Sequence, residues 1–227
     1  MILRQRWAIR QRSAAVVGVV VVGLFACQRI GETDTATLPA EDVGAPQIAY
    51  SLTTANPVVN FVAVKNATVT VPGTIPIKSA EVSRQGRHVK AEFVFDLAGV
   101  KTGDPRRDLN VAAFFFAVST PTYTTATLRV DFRSDALATF PSDVTTADVL
   151  LAGELDLHGV RVPMTLPLRL SSLPDGGIGV SNDGDIVLSI GRFGLDAAAD
   201  ALMKVCGHKS LSRRIPISFD LALRPRA

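Results

Sequence analysis

Residues 149–170 read VLLAGELDLHGVRVPMTLPLRL, and they contain two alternating runs on either side of a short turn at His158-Gly159. In the first run, acidic residues occupy the even positions 154 and 156. The apolar residues occupy odd positions, namely Val149, Leu151, Leu155 and Leu157. In the second run, the apolar residues fall on even positions from 162 to 170, and Pro163 and Pro167 fall on odd positions. This period of two predicts a β-hairpin with one apolar face. Because Pro donates no ladder hydrogen bond, we expect the second strand to be an edge or bulged there.

The same period continues along the chain from Gln47 onward. The further apolar sets are Val59, Phe61 and Ala63; Phe93, Phe95 and Leu97; Leu128, Val130 and Phe132; Ile186, Leu188 and Ile190; and Ile215, Ile217, Phe219, Leu221 and Leu223. Turn residues such as Pro72-Gly73 and Gln85-Gly86 separate the sets. Short strands at regular intervals, each with one apolar face, predict a β-sandwich or an antiparallel barrel.

Two segments depart from this alternation and are predicted to be helical. Asp108 is placed to cap a short helix over residues 109–116. Residues 196–206 form a second helix with Gly207 as its stop, and its apolar face consists of Leu195, Ala199, Leu202 and Cys206. Residues 114–116 are three successive Phe, which suit either a lid over a barrel mouth or a helix packed flat on the barrel end.

The composition indicates a folded domain with a dry interior. The chain has 227 residues, of which 47% are hydrophobic and 20% charged, and eleven Phe stand against two Tyr and one Trp. Phe is the aromatic residue that needs no polar partner when it is buried. The net charge of +3 comes from four Arg in the first 27 residues, and the remainder carries 20 basic and 21 acidic residues. A nucleic-acid-binding protein would keep a basic face, so this class is not expected.

The first 27 residues are typical of an export signal. Residues 1–12 are basic and residues 13–26 form an apolar run, which is shorter than the roughly 20 residues that a membrane-spanning helix needs. Leu24-Phe25-Ala26-Cys27 resembles the lipobox of bacterial lipoproteins, although Phe25 is bulkier than the usual residue. We therefore expect a signal peptide over residues 1–27, with Cys27 acylated. The alternatives are a plain secretory signal and an uncleaved anchor.

The predicted location follows from this signal. We expect a periplasmic protein, anchored to the outer membrane if Cys27 is lipidated, because Gln28 rather than Asp follows the cysteine. Residues 28–46 are polar and aperiodic, so they are expected to form a flexible linker. The folded domain is then predicted to cover residues 47–227.

Several motifs in this domain resemble those of the YceI-like family. Residues 102–108, TGDPRRD, resemble its "TGxxxRD" element, and Phe116 and Val118 follow as its "FxV" step. Residues 153–160, GELDLHGV, resemble the hairpin "GxLxLHGV", and residues 193–195 resemble "FGL". Upstream, residues 59–66 fit a "VxFVxxKN" opening through Val59, Phe61, Lys65 and Asn66. The motifs occur in family order over residues 47–227, but Ser119-Thr120-Pro121 replaces the usual aromatic-Pro step.

The resemblance implies an all-β, lipocalin-like antiparallel barrel of about eight strands with one or two short helices. It also implies an exported protein that holds a polyisoprenoid or another long-chain lipid. A barrel of about eight strands has an interior just wide enough for one slender ligand or for side chains alone. The residues predicted to line this interior and contact the lipid are Val59, Phe61, Phe93, Phe95, Phe116, Phe132, Leu155, Leu157, Met164, Leu166, Phe193 and Phe219.

No catalytic or metal site is predicted from the remaining residues. His158 lies in a hairpin turn without an adjacent nucleophile or acid, and His88 and His208 lack metal-ligand spacing. Cys206 is expected to be a buried free thiol, or to pair with Cys27 if that residue escapes lipidation. Arg107 is expected to bind Asp108 or a turn carbonyl, or alternatively to clamp a phosphate or polar headgroup.

These observations leave four functional hypotheses. The first is a non-enzymatic carrier of a quinone-like or polyprenyl lipid with no other cofactor, and the second is a filled, ligand-free barrel that serves as an envelope interaction or stress protein. The third is a redox accessory that presents a quinone to a membrane cytochrome. The least favoured is a hydrolase or isomerase that uses His158. A homodimer is compatible with each of them.

Overall fold

The computed structural model describes residues 44–138, 140 and 145–226. These residues form eleven strands, which are β1 (Gln47–Leu52), β2 (Val58–Lys65), β3 (Val69–Gln85), β4 (His88–Asp96), β5 (Thr125–Arg133), β6 (Thr146–Leu157), β7 (Val160–Ser172), β8 (Ile178–Asn182), β9 (Ile186–Ser189), β10 (Arg214–Ser218) and β11 (Asp220–Pro225). They also form two α-helices, α1 (Pro105–Asn110) and α2 (Asp196–Cys206), and a π-helical turn at Val111–Phe115 follows α1 directly. The predicted signal peptide, Cys27 and nearly all of the predicted linker lie outside the described residues.

The strands close into an antiparallel barrel. β1 pairs with both β3 and β11, which completes a ring of eight strands in the order β3, β4, β5, β6, β7, β8, β11 and β1. Every pairing in the ring is antiparallel. The prediction of an all-β antiparallel barrel of about eight strands with short helices is confirmed.

Three further strands extend the wall at one end of the ring. The whole of β2 pairs with the first half of β3, from Val58 opposite Pro76 to Lys65 opposite Val69. β2 pairs in turn with β10, and β10 pairs with β9. Phe219 alone separates β10 from β11, so one run of sequence serves both the extension and the ring.

The alternation in the sequence corresponds to the two faces of the barrel wall. In β4, Phe93 and Phe95 face the interior, whereas Glu92 lies outside and accepts a hydrogen bond from Arg129 of β5 at 3.0 Å. Other outward positions carry ion pairs in the same way, such as those of Asp148 with Arg169 and of Asp156 with Arg161. The apolar residues of one phase therefore meet inside the barrel, as the period of two predicts.

The two prolines of β7 lie where the strand has a partner on one side. β6 pairs with β7 from Val160 to Ser171, but among the described strands β8 pairs only with residues 168–172. On the side away from β6, the Pro167 carbonyl accepts from Asp183 N at 3.0 Å and the Pro163 carbonyl accepts from Arg192 Nη2 at 3.1 Å. The predicted edge is confirmed for this half of β7. It is wrong for the second half, which lies between β6 and β8.

The first helix begins earlier than predicted, and Asp108 does not cap it. Asp104 is the N-cap, with its Oδ1 accepting from Arg106 N at 2.9 Å and from Arg107 N at 3.1 Å, and Pro105 occupies the first helical position. Asp108 lies inside α1 and is buried, with 9% of its surface exposed. Its Oδ1 accepts from the N–H and the hydroxyl of Thr102, both at 2.6 Å. Asp108 therefore fastens the preceding loop to the helix.

The second helix has the predicted limits. α2 ends at Cys206, and Gly207 follows in the left-handed conformation, with a φ of 66°, that a glycine adopts readily. Leu195, Ala199 and Leu202 are buried against the barrel and Cys206 is half-buried, so the predicted apolar face is confirmed.

The two aspartates of this loop and helix are expected to differ in their effect on stability. Asp108→Ala leaves the buried Thr102 N–H and hydroxyl without their acceptor, and we expect it to lower the free energy of unfolding by about 2–3 kcal/mol. Asp104→Ala removes a cap at an exposed position, where water replaces the lost acceptor, and its cost is expected to be smaller. Urea unfolding of both variants measures this order, and a larger loss in Asp104→Ala would contradict these assignments.

Candidate functional site

The barrel encloses an apolar cavity with a volume of about 300 Å³. Side chains from the strands of both the ring and the extension line it, together with residues of α1, the π-helical turn and α2. All twelve residues predicted to face the interior are on its wall, namely Val59, Phe61, Phe93, Phe95, Phe116, Phe132, Leu155, Leu157, Met164, Leu166, Phe193 and Phe219. Their contact with a lipid remains a prediction.

One end of the cavity is covered by Leu137 and Phe140, which follow β5 in the sequence. Leu137 and Phe140 pack with Tyr50, Val82 and other apolar residues there, and each of the two is only 2% exposed. Arg84 of β3 holds these two residues in place, because its guanidinium donates to the backbone carbonyls of Leu137 and Phe140. Its Nε donates to the carbonyl of Gly86 in the turn after β3. The positive charge of Arg84 is thus directed at carbonyl oxygens.

The other end is covered by the helical segments. Phe115 and Phe116 line the cavity in an edge-to-face arrangement, with ring centroids 4.9 Å apart, whereas Phe114 is 44% exposed. Leu202 of α2 lines the cavity beside them. The Phe cluster at residues 114–116 therefore contributes two of its three rings to the cover of this end, so both of the predicted roles describe it in part.

Polar side chains join the wall at this second end of the cavity. These residues, which we call the rim, are Lys65, Thr102, Arg107, Cys206, His208 and Ser212. Arg107 Nε donates to Thr102 Oγ1 at 2.8 Å, and Arg107 Nη2 donates to the Thr102 carbonyl at 2.7 Å. The prediction that Arg107 binds a turn carbonyl is confirmed, and its link to Asp108 runs through Thr102.

Cys206 and Ser212 belong to the rim through bonds to neighbouring segments. Asn110 Nδ2 of α1 donates to Cys206 Sγ at 3.6 Å, and Ser212 Oγ accepts from Val64 N at 3.0 Å. Cys206 is a free thiol that is half-buried, which agrees with the prediction apart from its partial exposure. Its predicted alternative partner, Cys27, lies outside the described residues.

His158 has a structural role in the hairpin between β6 and β7. It adopts a φ of 57° and Gly159 a φ of 74°, which is the geometry of a tight two-residue hairpin turn. Its Nε2 lies 2.7 Å from the Phe116 carbonyl, and its ring stacks on Tyr123 at a centroid distance of 4.4 Å. The imidazole thus joins the hairpin to the segment that covers the cavity.

Within the described ranges, no group of three His, Cys, Asp or Glu residues is arranged to hold a metal ion. The helices of that part of the chain are also too short or too polar to cross a membrane.

Comparison with known proteins identifies the family. The model of the YceI-like domain matches residues 50–223, which is most of the chain. The chain belongs to the YceI-like family. No curated protein matches this YceI-like chain significantly.

Solved structures share the fold. A polyisoprenoid binding domain from Saccharophagus degradans, implicated in plant cell wall breakdown, is 26% identical with a TM-score of 0.67, over 79% of this chain and 99% of that chain. BcnA from Burkholderia cenocepacia is 18% identical with a TM-score of 0.56, over 76% and 99%. A mutant YCEI protein from Campylobacter jejuni is 16% identical with a TM-score of 0.50, over 72% and 90%. The last two similarities concern the fold alone.

In the rim of this YceI-like protein, the sequence indicates a possible ligand contact for Arg107 but none for Lys65 and His208. Lys65 is part of the "VxFVxxKN" motif, and the spacing of His208 in the sequence does not fit a metal site. Neither pattern indicates a ligand contact. The two residues follow β2 and α2, which are far apart in the sequence, so no local pattern links them to Arg107. The one available signal was that all three are basic residues next to elements with an apolar inward face.

The environment of His208 predicts a dependence of stability on pH. Partial burial, together with the positive charges of Lys65 and Arg107, lowers the pKa of His208 below its ordinary value of 6.5. Well above pH 6.5 the ring is neutral in the folded and the unfolded chain, so it contributes no pH dependence. As the pH falls below 6.5, the unfolded chain binds a proton that the folded chain does not bind, and the fold loses stability.

We therefore expect His208→Gln to lose less stability than the wild type between pH 7.5 and pH 5. Thermal unfolding of the two proteins at a series of pH values measures the difference. An identical loss in both proteins would mean that the His208 ring titrates as it does in water.

Proposed function

We propose that this YceI-like protein binds one long apolar lipid, of the polyisoprenoid type, inside its barrel and catalyses no reaction. The observation that carries the proposal is the apolar cavity, which Leu137 and Phe140 cover at one end and the polar rim borders at the other. An apolar chain gains roughly 0.8 kcal/mol for each CH₂ that it buries, so such a wall suits a long hydrocarbon.

The family supports the same class of ligand. The Saccharophagus degradans domain, which is described as polyisoprenoid binding, shares its fold and 26% of its residues with this chain. A polyisoprenoid is a slender, branched hydrocarbon, and the cavity wall presents Phe, Leu, Val and Ile side chains along its length. We propose an isoprenoid quinone or a related prenyl lipid as the ligand.

The competing function is that of a filled barrel that acts through its outer surface as an envelope interaction protein. Phe61, Phe93, Phe95, Phe132 and Phe219 all project inward and take up part of the interior. The remaining volume of about 300 Å³ is at the lower end of the range for ligand pockets. Uptake of lipid by the purified protein separates the two functions.

We also propose that the protein acts outside the cytoplasm, with Cys27 acylated and the barrel tethered through residues 28–46. The support is the order of a basic segment, an apolar run of 14 residues and a lipobox-like Leu24-Phe25-Ala26-Cys27. Several acyl chains at one residue would anchor the barrel durably, where a single chain would not. Labelling with a fatty-acid probe in wild type and in Cys27→Ser tests this part.

Affinity for prenyl alcohols is expected to rise with chain length until the cavity is full. At about 0.3 kcal/mol for each carbon, each added five-carbon unit should tighten binding by roughly tenfold. Calorimetric titration of the purified full chain with geraniol, farnesol and geranylgeraniol measures this series. No uptake of any of the three would favour the filled barrel.

A substitution that fills the cavity provides the matched control. Ala91 of β4 lines the cavity, whereas its neighbour Lys90 faces outward and lies 3.6 Å from Asp131. We expect Ala91→Phe to weaken binding of the longest bound alcohol by about tenfold or more, because the new ring occupies space that the chain needs. Lys90→Phe adds the same ring outside and should leave the affinity unchanged. Equal affinities for both variants would place the alcohol outside the cavity.

A further inference from the structure

The rim gathers three basic side chains from three separate elements. Lys65 ends β2, Arg107 lies in α1, and His208 follows α2, and all three are half-buried on the wall of the cavity. Within the part of the chain that the structure describes, the side chains of Lys65 and His208 form no hydrogen bond or ion pair. The rim therefore presents positive charge at the border between the apolar cavity and water.

One carboxylate adjoins the rim, that of Asp108, and its hydrogen bonds and ion pair are with Thr102 and Lys101 rather than with the three basic side chains of the rim. Asp108 is buried behind Thr102, and its Oδ1 accepts both the N–H and the hydroxyl of that residue. Its Oδ2 lies 4.0 Å from Nζ of Lys101, whose side chain is mostly exposed. Half-buried cations without a facing anion lose part of their hydration, and this cost falls when an anion binds between them.

Arg107 is held in an orientation that leaves donors available. A guanidinium has five N–H donors, and the two bonds to Thr102 use one at Nε and one at Nη2. Because Thr102 fixes the planar group, little conformational freedom is lost when its remaining donors bind a ligand. Phosphate and carboxylate oxygens are the acceptors that such a fork fits best.

We propose that the rim binds an anionic headgroup, a phosphate or a carboxylate, of the lipid whose apolar chain lies in the cavity. This inference rests on the proposed function and narrows it, because it favours a long-chain lipid with a phosphate or carboxylate end over an isoprenoid quinone, whose headgroup is neutral. The three groups that face the headgroup are the Lys65 ammonium, the Arg107 guanidinium and the His208 imidazole, and the hydroxyl of Ser212 lies on the same rim.

The two ends of the cavity then give the lipid one orientation. At the closed end, Arg84 donates to three backbone carbonyls, so its charge is already solvated by the protein. At the rim, the lowered pKa of His208 reflects its partial burial first and then the unbalanced positive charges of Lys65 and Arg107. The charged end of a lipid is therefore stabilised at the rim, and the end of its chain lies against Leu137 and Phe140.

Two pairs of ligands with the same chain but different headgroups test this proposal. The purified full chain is titrated with farnesyl phosphate and farnesol, and with palmitate and hexadecanol. We expect at least one anionic ligand to bind about tenfold more tightly than its alcohol, since a bond to a charged group of this kind is typically worth a factor of that size. Preference in the first pair identifies a phosphate, and preference in the second pair a carboxylate.

Removal of one rim charge should abolish most of that preference. Lys65→Gln is expected to weaken the preferred anionic ligand about tenfold and to leave its alcohol unchanged. Lys78→Gln removes one exposed charge of β3 that is not on the cavity wall, and it should change neither ligand.

Three results would overturn the proposal. The first is that the wild type binds each alcohol as tightly as the anion with the same chain. The second is that Lys65→Gln weakens the binding of alcohol and anion by the same factor. The third is that Lys78→Gln weakens the binding of the anion as much as Lys65→Gln does. The first result is independent of any variant, and it would leave the proposed lipid binding intact. Failure of all four ligands to bind would overturn the proposed function as well.

Discussion

The pairing of β1 with two neighbours is the constraint on which the rest of the barrel depends. Tyr50 lies opposite Val82 of β3 and also opposite Pro225 of β11, so a strand of six residues joins the first and last parts of the ring. Closure leaves no unpaired strand edges in the ring at this position, and it turns one face of every strand inward. Without it, the Phe-rich faces would meet water and the dry cavity would be lost.

Closure also explains why the polar groups of the interior are confined to its ends. Along the ring, the inward positions are taken by apolar side chains, except for Arg84 near the end of β3, and several outward positions carry ion pairs such as that of Asp148 with Arg169. Where the strands end, backbone carbonyls and loop residues enter the wall. Arg84 binds such carbonyls at the closed end, and Arg107 binds the carbonyl of Thr102 at the rim. The two ends therefore differ in chemistry, although the wall between them is uniform.

Much of this wall was predictable from the sequence, since a period of two is a local property of each strand. The twelve interior residues, the limits of α2 and its stop at Gly207 all follow from spacing within a short segment. The predicted start of α1 is wrong, although the sequence contains the correct signal, since Asp104 followed by Pro105 is a common helix start. The burial of Asp108 depends on Thr102, a contact that no helix rule contains.

The rim as a group of residues was not predictable, although Arg107 alone was a candidate headgroup ligand, because tertiary contacts bring its members together. Lys65, Arg107 and His208 come from segments about 40 and about 100 residues apart, and only the closure of the barrel brings them to one end of the cavity. The volume of the cavity could not be predicted from the sequence either, because the alternation of apolar and polar residues is identical in a hollow and in a filled barrel. Packing of the inward Phe side chains decides that volume, and about 300 Å³ remains.

A long apolar lipid held in the barrel should accompany the protein when it is purified. The most direct test is native mass spectrometry of the full chain, purified from bacterial cells in a mild buffer, with organic extraction of whatever accompanies it. We expect a discrete added mass that is lost on unfolding and is recovered in the extract as a prenyl or other long-chain lipid. A bare protein mass, with no uptake of isoprenoid quinones or fatty-acyl lipids when they are added back, would contradict it.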